Sequence, residues 1–368
     1  MNRALRAGRD STLSRHLVAA IIGGVVIVVV TGQISDFHNY ELATLGAYIC
    51  AAAGLTLLTG TNGQVSLGHA ALMAVGAYTV ALMQQHFSDN NVSGQWILPV
   101  SLLVGTFVAA VFGIMVGLAA ARLRGPYLAG ATLALGVALP SITSQYTSVF
   151  KGDQGLPVTY DGPPGSLGSN FSLERWQAWI CLGAALITLF FLANLHRSSI
   201  GRHLRAVRDD DIAAQLAGLS AGRIRVLAFA VSSAAAGLGG GVFAVALQGA
   251  SPGSFGLTLS LILLSAVVIG GLGSLTGAVW GSIAVVYLGI VLPGFVDRLH
   301  LSSASAQKLH DNLPLAVYGA LLVVVMLLVP GGIQGLLRVI VNRIRGLGSP
   351  SRSIPSDRHF TPPTGGTQ

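Results

Sequence analysis

The stretch TNGQVSLGHAALMAVGAYTVAL, residues 61–82, decides the fold. It is apolar and long enough for a helix, yet it opens with Asn62, Gly63, Gln64, Ser66 and His69. A polar group facing lipid is expensive, so these residues are expected to face a bundle interior or a wet cavity.

Composition fixes the environment. Of 368 residues, 52% are hydrophobic and only 9% are charged. Mean hydropathy is +0.70. A soluble protein carries charge at roughly a quarter of its positions. The chain therefore reads as an all-α integral membrane protein. About 20 apolar residues cross the roughly 30 Å of hydrocarbon, which predicts ten spans near 17–32, 40–60, 65–86, 96–121, 127–149, 176–195, 226–248, 257–271, 276–293 and 314–330. The 48 glycines suit close helix packing in lipid. Three regions follow: a cytoplasmic segment 1–16, a transmembrane domain 17–338, and a cytoplasmic tail 339–368 whose Ser, Pro, Thr and Gly predict disorder. Arg3, Arg6, Arg9 and Arg15 precede the first span as in a signal peptide. No small-x-small cleavage site follows, so a retained anchor is expected.

Charge orients the spans. With both termini cytoplasmic, all of the 21 Lys and Arg except Lys151, Arg175, Arg298 and Lys308 fall on the cytoplasmic side, as the positive-inside rule requires. Because the arginines track membrane loops and form no patch, nucleic-acid binding is excluded. Cys50 and Cys181 lie within spans and read as small hydrophobes. No metal-ligating group stands out.

Spans two to five and seven to ten form two units. Each opens with a Gly-rich, interrupted apolar segment, Gly63 to Ala81 and Leu257 to Ser282. An offset of five spans places the units in opposite orientations, as an inverted repeat. Transporters often place their pathway where such interrupted segments meet. Gly63, Gly68, Pro140, Gly270, Gly271 and Gly273 are the expected hinge or packing positions. Pro140 should kink the fifth span, with Thr132 and Ser141 available to satisfy freed backbone groups. Pairs such as Gly113/Gly117 and Gly277/Gly281 are expected to pack helices. KGDQGLPV, residues 151–158, is expected to be an external turn.

The cytoplasmic loop 196–225 contains RAVRDDDIAAQLAGLSAGRIR. Asp209, Asp210 and Asp211 can cap a helix. Ile212, Leu216 and Leu219 share one face, and Gly218 can end the helix in a left-handed turn. This amphipathic helix either lies on anionic lipid or docks a cytoplasmic partner. The aspartates favour docking, since anionic lipid repels them.

Ala213 to Gly218, AAQLAG, fits the Ala-Ala-x-x-x-Gly core of the coupling loop in ABC importer permeases, with Ile212 where a Glu is usual. SSIGRHLRAVRDDDIAAQLAGLS, GQVSLGHAALMAVGAY, RGPYLAGATLALG, GDQGLPV and VVIGGLGSLTGAVWGS complete a set. On these motifs, residues 40–335 resemble the branched-chain amino-acid importer permeases, the LivM-like subunits. The resemblance implies about ten transmembrane helices in two inverted repeats with a cytoplasmic coupling helix, in the plasma membrane. Its implied partners are a second related permease, two ATP-binding cassette ATPases and an extracytoplasmic solute-binding protein. Arg205, Asp211, Ile212, Ala213, Ala214, Leu216 and Gly218 are the implied ATPase-coupling residues. The chain has no G-x-x-x-x-G-K-[ST] stretch, so ATP and Mg are expected on the partners, with no cofactor and no catalytic residue here.

At the mouth of the third span, Gln64, Ser66 and His69 either line the inner pathway or its gate, or play structural parts. In the second case Asn62 and Ser66 cap a helix and His69 bonds a neighbouring carbonyl. Exposed Lys151 and Asp153 are expected to meet the binding protein. No Asp, Glu, Lys or Arg lies deep in a span, which weighs against an ion-coupled carrier. His69 lacks a sequence partner for intramembrane catalysis. The urea and amide permeases of the same superfamily are the nearest alternative.

Overall fold

The computed structural model describes residues 2–123, 125–168, 171–297, 303–329 and 331–346. Its long helices are α1 (Asn2–Thr31), α2 (Asp36–Leu55), α3 (His69–Asp89), α4 (Ile97–Ala120) and α5 (Pro126–Gln145), with a short α6 (Thr147–Phe150). Then follow α7 (Leu173–Arg197), α8 (Ser199–Asp209), α9 (Asp211–Leu216), α10 (Ala221–Leu247), α11 (Leu257–Gly270), α12 (Leu275–Asp297), α13 (Ser303–Leu328) and α14 (Gly332–Gly346). Among the described residues nine helices are long and apolar enough to cross a membrane. The third expected span is the exception. α3 has 21 residues, but His69, Gln84, Gln85 and His86 dilute its hydropathy, and most of it lies inside the bundle.

α2 and α10 form the centre and run antiparallel. Gly54 meets Ser232 and Ala235, while Gly239 meets Ala47 and Ala51. Ser232 Oγ donates to the Gly54 carbonyl at 2.8 Å. Small residues permit this approach, which supplies the dispersion contacts that hold helices together in lipid. Gly237 and Gly240 of α10 pack equally closely on Ala109 of α4 and the Met73 backbone of α3. The outward faces carry large apolar groups such as Leu103, Phe107 and Phe191.

The two units are visible in the packing. α2 and α10 are each followed by an irregular passage, 62–68 and 248–256, and then by α3 or α11. The starts of those helices meet: the Ala70 amide donates to Ser260 Oγ at 3.0 Å. α3 packs on α4 through Gly76 and Gly105, and α11 on α12 through Gly270, Gly277 and Gly281.

The 151–158 segment is a turn, as expected, and more. Leu156–Pro157 (β1) pairs antiparallel with Gly249–Ala250 (β2). Leu156 and Val158 are buried anchors beside this pairing. Gly155, at φ 72°, presses on the Ala250 carbonyl, where a Cβ would clash. Asp153 Oδ1 accepts from Ser144 at 2.6 Å. Beyond the strand, Tyr160 accepts from Gln177 at 2.8 Å, and burial pushes its phenol up to about 12.

Two expectations need correction. Thr132 and Ser141 do not serve the groups freed by Pro140: Ser141 donates to Val137, and Thr132 donates to Ala129. Residues 339–346 of the expected disordered tail are helical, as the second half of α14. This helix alternates arginines with exposed Leu336, Val339 and Ile340, a pattern that suits a membrane surface. Residues 347–368 lie outside the described residues. The segment before the first span is also helical: α1 starts at Asn2, and its apolar, span-length part runs Leu13–Thr31.

Candidate functional site

The polar mouth is a knot of backbone and amide groups between α2 and α3. α2 ends in a π-helical turn, Thr56–Thr61. Such turns are rare and frequent at functional sites. Asn62 Nδ2 donates to Gln64 Oε1 at 2.9 Å, and Thr59 Oγ1 donates to the Gln64 carbonyl at 3.2 Å. Gly63 turns the chain at φ 73°. The Leu67 amide then donates to Thr132 Oγ1 of α5 at 3.0 Å. Gly68 lies so close to the Thr132 carbonyl that a Cβ would strike it.

The helix begins at His69, so Asn62 and Ser66 are not its caps. Gly68 occupies that position without a side-chain bond. The hydroxyl near the first turn comes instead from Ser260, 190 residues away in sequence. Ser66 precedes the helix and shares no helical face with His69. His69 is wholly buried. Its Nε2–H donates to the Ala51 carbonyl of α2 at 3.1 Å, and Nδ1 has no hydrogen-bond partner among the described residues. Ser66 is equally buried, whereas Gln64 lines a cavity of about 500 Å³ shared with Asn62, Gly63, Leu128, Arg208 and Asp211.

The second group is the segment between α7 and α10, which holds two helices and not one. α8 is capped by Ser198, whose Oγ accepts from the Gly201 amide. Arg205 Nη1 donates to the His196 carbonyl at 3.0 Å, tying α8 to the end of α7. Asp210, extended at φ −153°, breaks the helix and caps α9, accepting from the Ile212 and Ala213 amides. Gly218 closes α9 at φ 84°. The aspartates thus divide their work. Asp209 binds Arg208, Asp210 caps, and Asp211 pairs with Arg225 of α10 at 2.9 Å.

Burial splits the expected coupling face. Ala214 packs inward with Val207 and Ala221, and Leu219 leans on the same small cluster. Ile212 and Leu216 point away, 73% and 86% exposed. Leu219 therefore does not share their face, because the turn after Leu216 reverses the chain.

Arg208 joins the two groups. Nη1 donates to the Gly60 carbonyl at 2.8 Å, while Nε and Nη2 hold Asp209 Oδ1 at 2.9 and 2.7 Å. Gly60 abuts the Gly273 backbone, where a Cβ would clash. Arg208, Arg225, Thr132 and Ser260 carry these contacts, and sequence reasoning missed them. Thr132, Arg208 and Ser260 reach partners 65, 148 and 190 residues away, Arg225 one only 14 away, and no local spacing signals such pairs.

A family model described as "Branched-chain amino acid transport system / permease component" matches residues 38–329. The chain belongs to this family. The match takes in the polar mouth, α8 and α9, and leaves α1 and α14 outside. The permease is 30% identical to the high-affinity branched-chain amino acid transport system permease protein LivM of Escherichia coli K12, over 81% of its own length and 70% of the relative's. It is 28% identical to LivH of Salmonella typhimurium, over 79% and 92%. Ribose import permease RbsC of Haemophilus influenzae is 28% identical over 79% and 86%. No solved structure matches. The permease is a multi-pass membrane protein with an all-α fold.

Proposed function

We propose that this chain is a transmembrane subunit of an ATP-driven importer for branched-chain or related hydrophobic amino acids, delivered by an extracytoplasmic solute-binding protein. The family match and the LivM likeness support the substrate class. The single observation that carries the mechanism is α9: a capped knob that presents Ile212 and Leu216 to the outside while Ala214 and the Asp211–Arg225 pair anchor it. Its partners are a second related permease and two ATPases, which bind and hydrolyse ATP with Mg. This chain supplies no catalytic group and both its termini are cytoplasmic. Closure of the ATPases moves α9, and the bundle alternates between two arrangements that ATP and loaded binding protein favour differently. Gln64 lines the inner end of the path; Ser66 and His69 hold the neighbouring gate.

Uptake into proteoliposomes tests this reading. With the second permease, ATPases and binding protein present, leucine accumulates only when ATP faces the ATPases. Uptake by this chain alone, driven by a proton or sodium gradient, would overturn it. Which solute the binding protein of this complex retains, a branched-chain amino acid or urea, tests the urea and amide alternative.

A further inference from the structure

We infer that Arg208 is the positioning residue through which displacement of α9 reaches the break after α2 and the break between α11 and α12; this rests on the reading above that force enters at α9. α8 resembles a lever. One end is fixed to α7 by the Ser198 cap and by Arg205 on the His196 carbonyl. Its middle is seated by buried Leu204 and Val207. Its other end carries Arg208, two residues before the Asp210 elbow that starts α9.

Asp209 takes Nε and Nη2, which leaves Nη1 for Gly60. The Gly60 carbonyl lies in the last turn of the π-helical segment. Terminal carbonyls lack intrahelical partners and sit at the negative end of the dipole, so a cation is favoured there. Gly63 makes room for the arginine stem: a Cβ would lie 2.8 Å from Arg208 Cγ. Gly60 in turn touches the Gly273 backbone with no side chain between. A push on Arg208 therefore moves the break after α2 and, by contact, the break between α11 and α12. The other tie, Arg225 to Asp211, lands on α10, a continuous helix of 27 residues. It steadies the elbow and leads to no interruption.

The test is the ratio of ATP hydrolysed to leucine imported by the reconstituted complex with its ATPases and binding protein. Arg208→Gln should raise that ratio by about tenfold, the scale expected for losing a charge-assisted hydrogen bond. Arg208→Lys, which keeps one charged donor for Gly60, should restore most of it. A wild-type ratio in Arg208→Gln overturns the inference, whether or not both rates fall together. If that variant does not assemble, Gly63→Ala decides: it keeps the arginine but displaces its stem, and an unchanged ratio is equally fatal. Uptake by the wild-type complex without ATP hydrolysis would instead sink the functional reading itself.

Discussion

At the scale of single residues, Gly68 and His69 fix the backbone of the polar mouth, the proposed gate. Gly68 allows the chain to pass against the Thr132 carbonyl. Gly68→Ala forces a Cβ into that backbone, and overpacking of this kind costs about 1–3 kcal/mol. Thermal melting of the purified permease should show a clear drop, whereas Gly130→Ala, with open space around it, should leave the melt unchanged. An unaltered melt for Gly68→Ala would contradict the close approach. His69 bonds Ala51 and lies away from any solvent. His69→Ala that assembles and transports normally would remove it from the gate.

α8 and α9 show what individual elements contribute. α9 has six residues, too few to be stable as an isolated helix. It persists because Asp210 caps its start, Gly218 closes its end, and the Asp211–Arg225 pair holds it to α10. Losing an N-cap costs about 1 kcal/mol. Asp210→Ala should therefore fray α9 and reduce co-purification of the ATPases several-fold, with Asp210→Ser restoring it. Equal recovery with Ala and Ser would show that the cap is irrelevant. Much of this element was legible in the sequence, because caps and left-handed glycines are local. The aspartates signalled a helix start, and Gly218 its end. The second helix was not legible: the sequence reading starts one helix at the aspartates, whereas Ser198 already caps α8 upstream of them. The inward turn of Leu219 was hidden because periodicity assumes that the helix continues.

At the scale of the whole molecule, two antiparallel central helices and two further helices meeting at their starts make a bundle with built-in discontinuities. Hydropathy found the spans because lipid demands long apolar helices. It placed α3 on the same footing as the rest, although α3 sits inside. The Ala70–Ser260 and Gly60–Gly273 contacts join the halves, and each depends on residues whose meaning emerges only once the halves are folded together. The polar mouth was recognised as an interior feature, yet its partners, Thr132 and Arg208, lie on other helices. α1 contacts the bundle chiefly along α7, through Trp179 on Thr31 and Gly23 on Leu186. That placement at the periphery agrees with its position outside the family match.

The central claim is that α9 is a seat for an ATPase. A photoreactive side chain placed at Leu216, the most exposed large apolar group of α9, tests it in the assembled complex. The account predicts an adduct with the ATPase, lost when Ile212 is changed to Asp. An adduct with lipid alone, in a complex that still imports leucine at the expense of ATP, would contradict it.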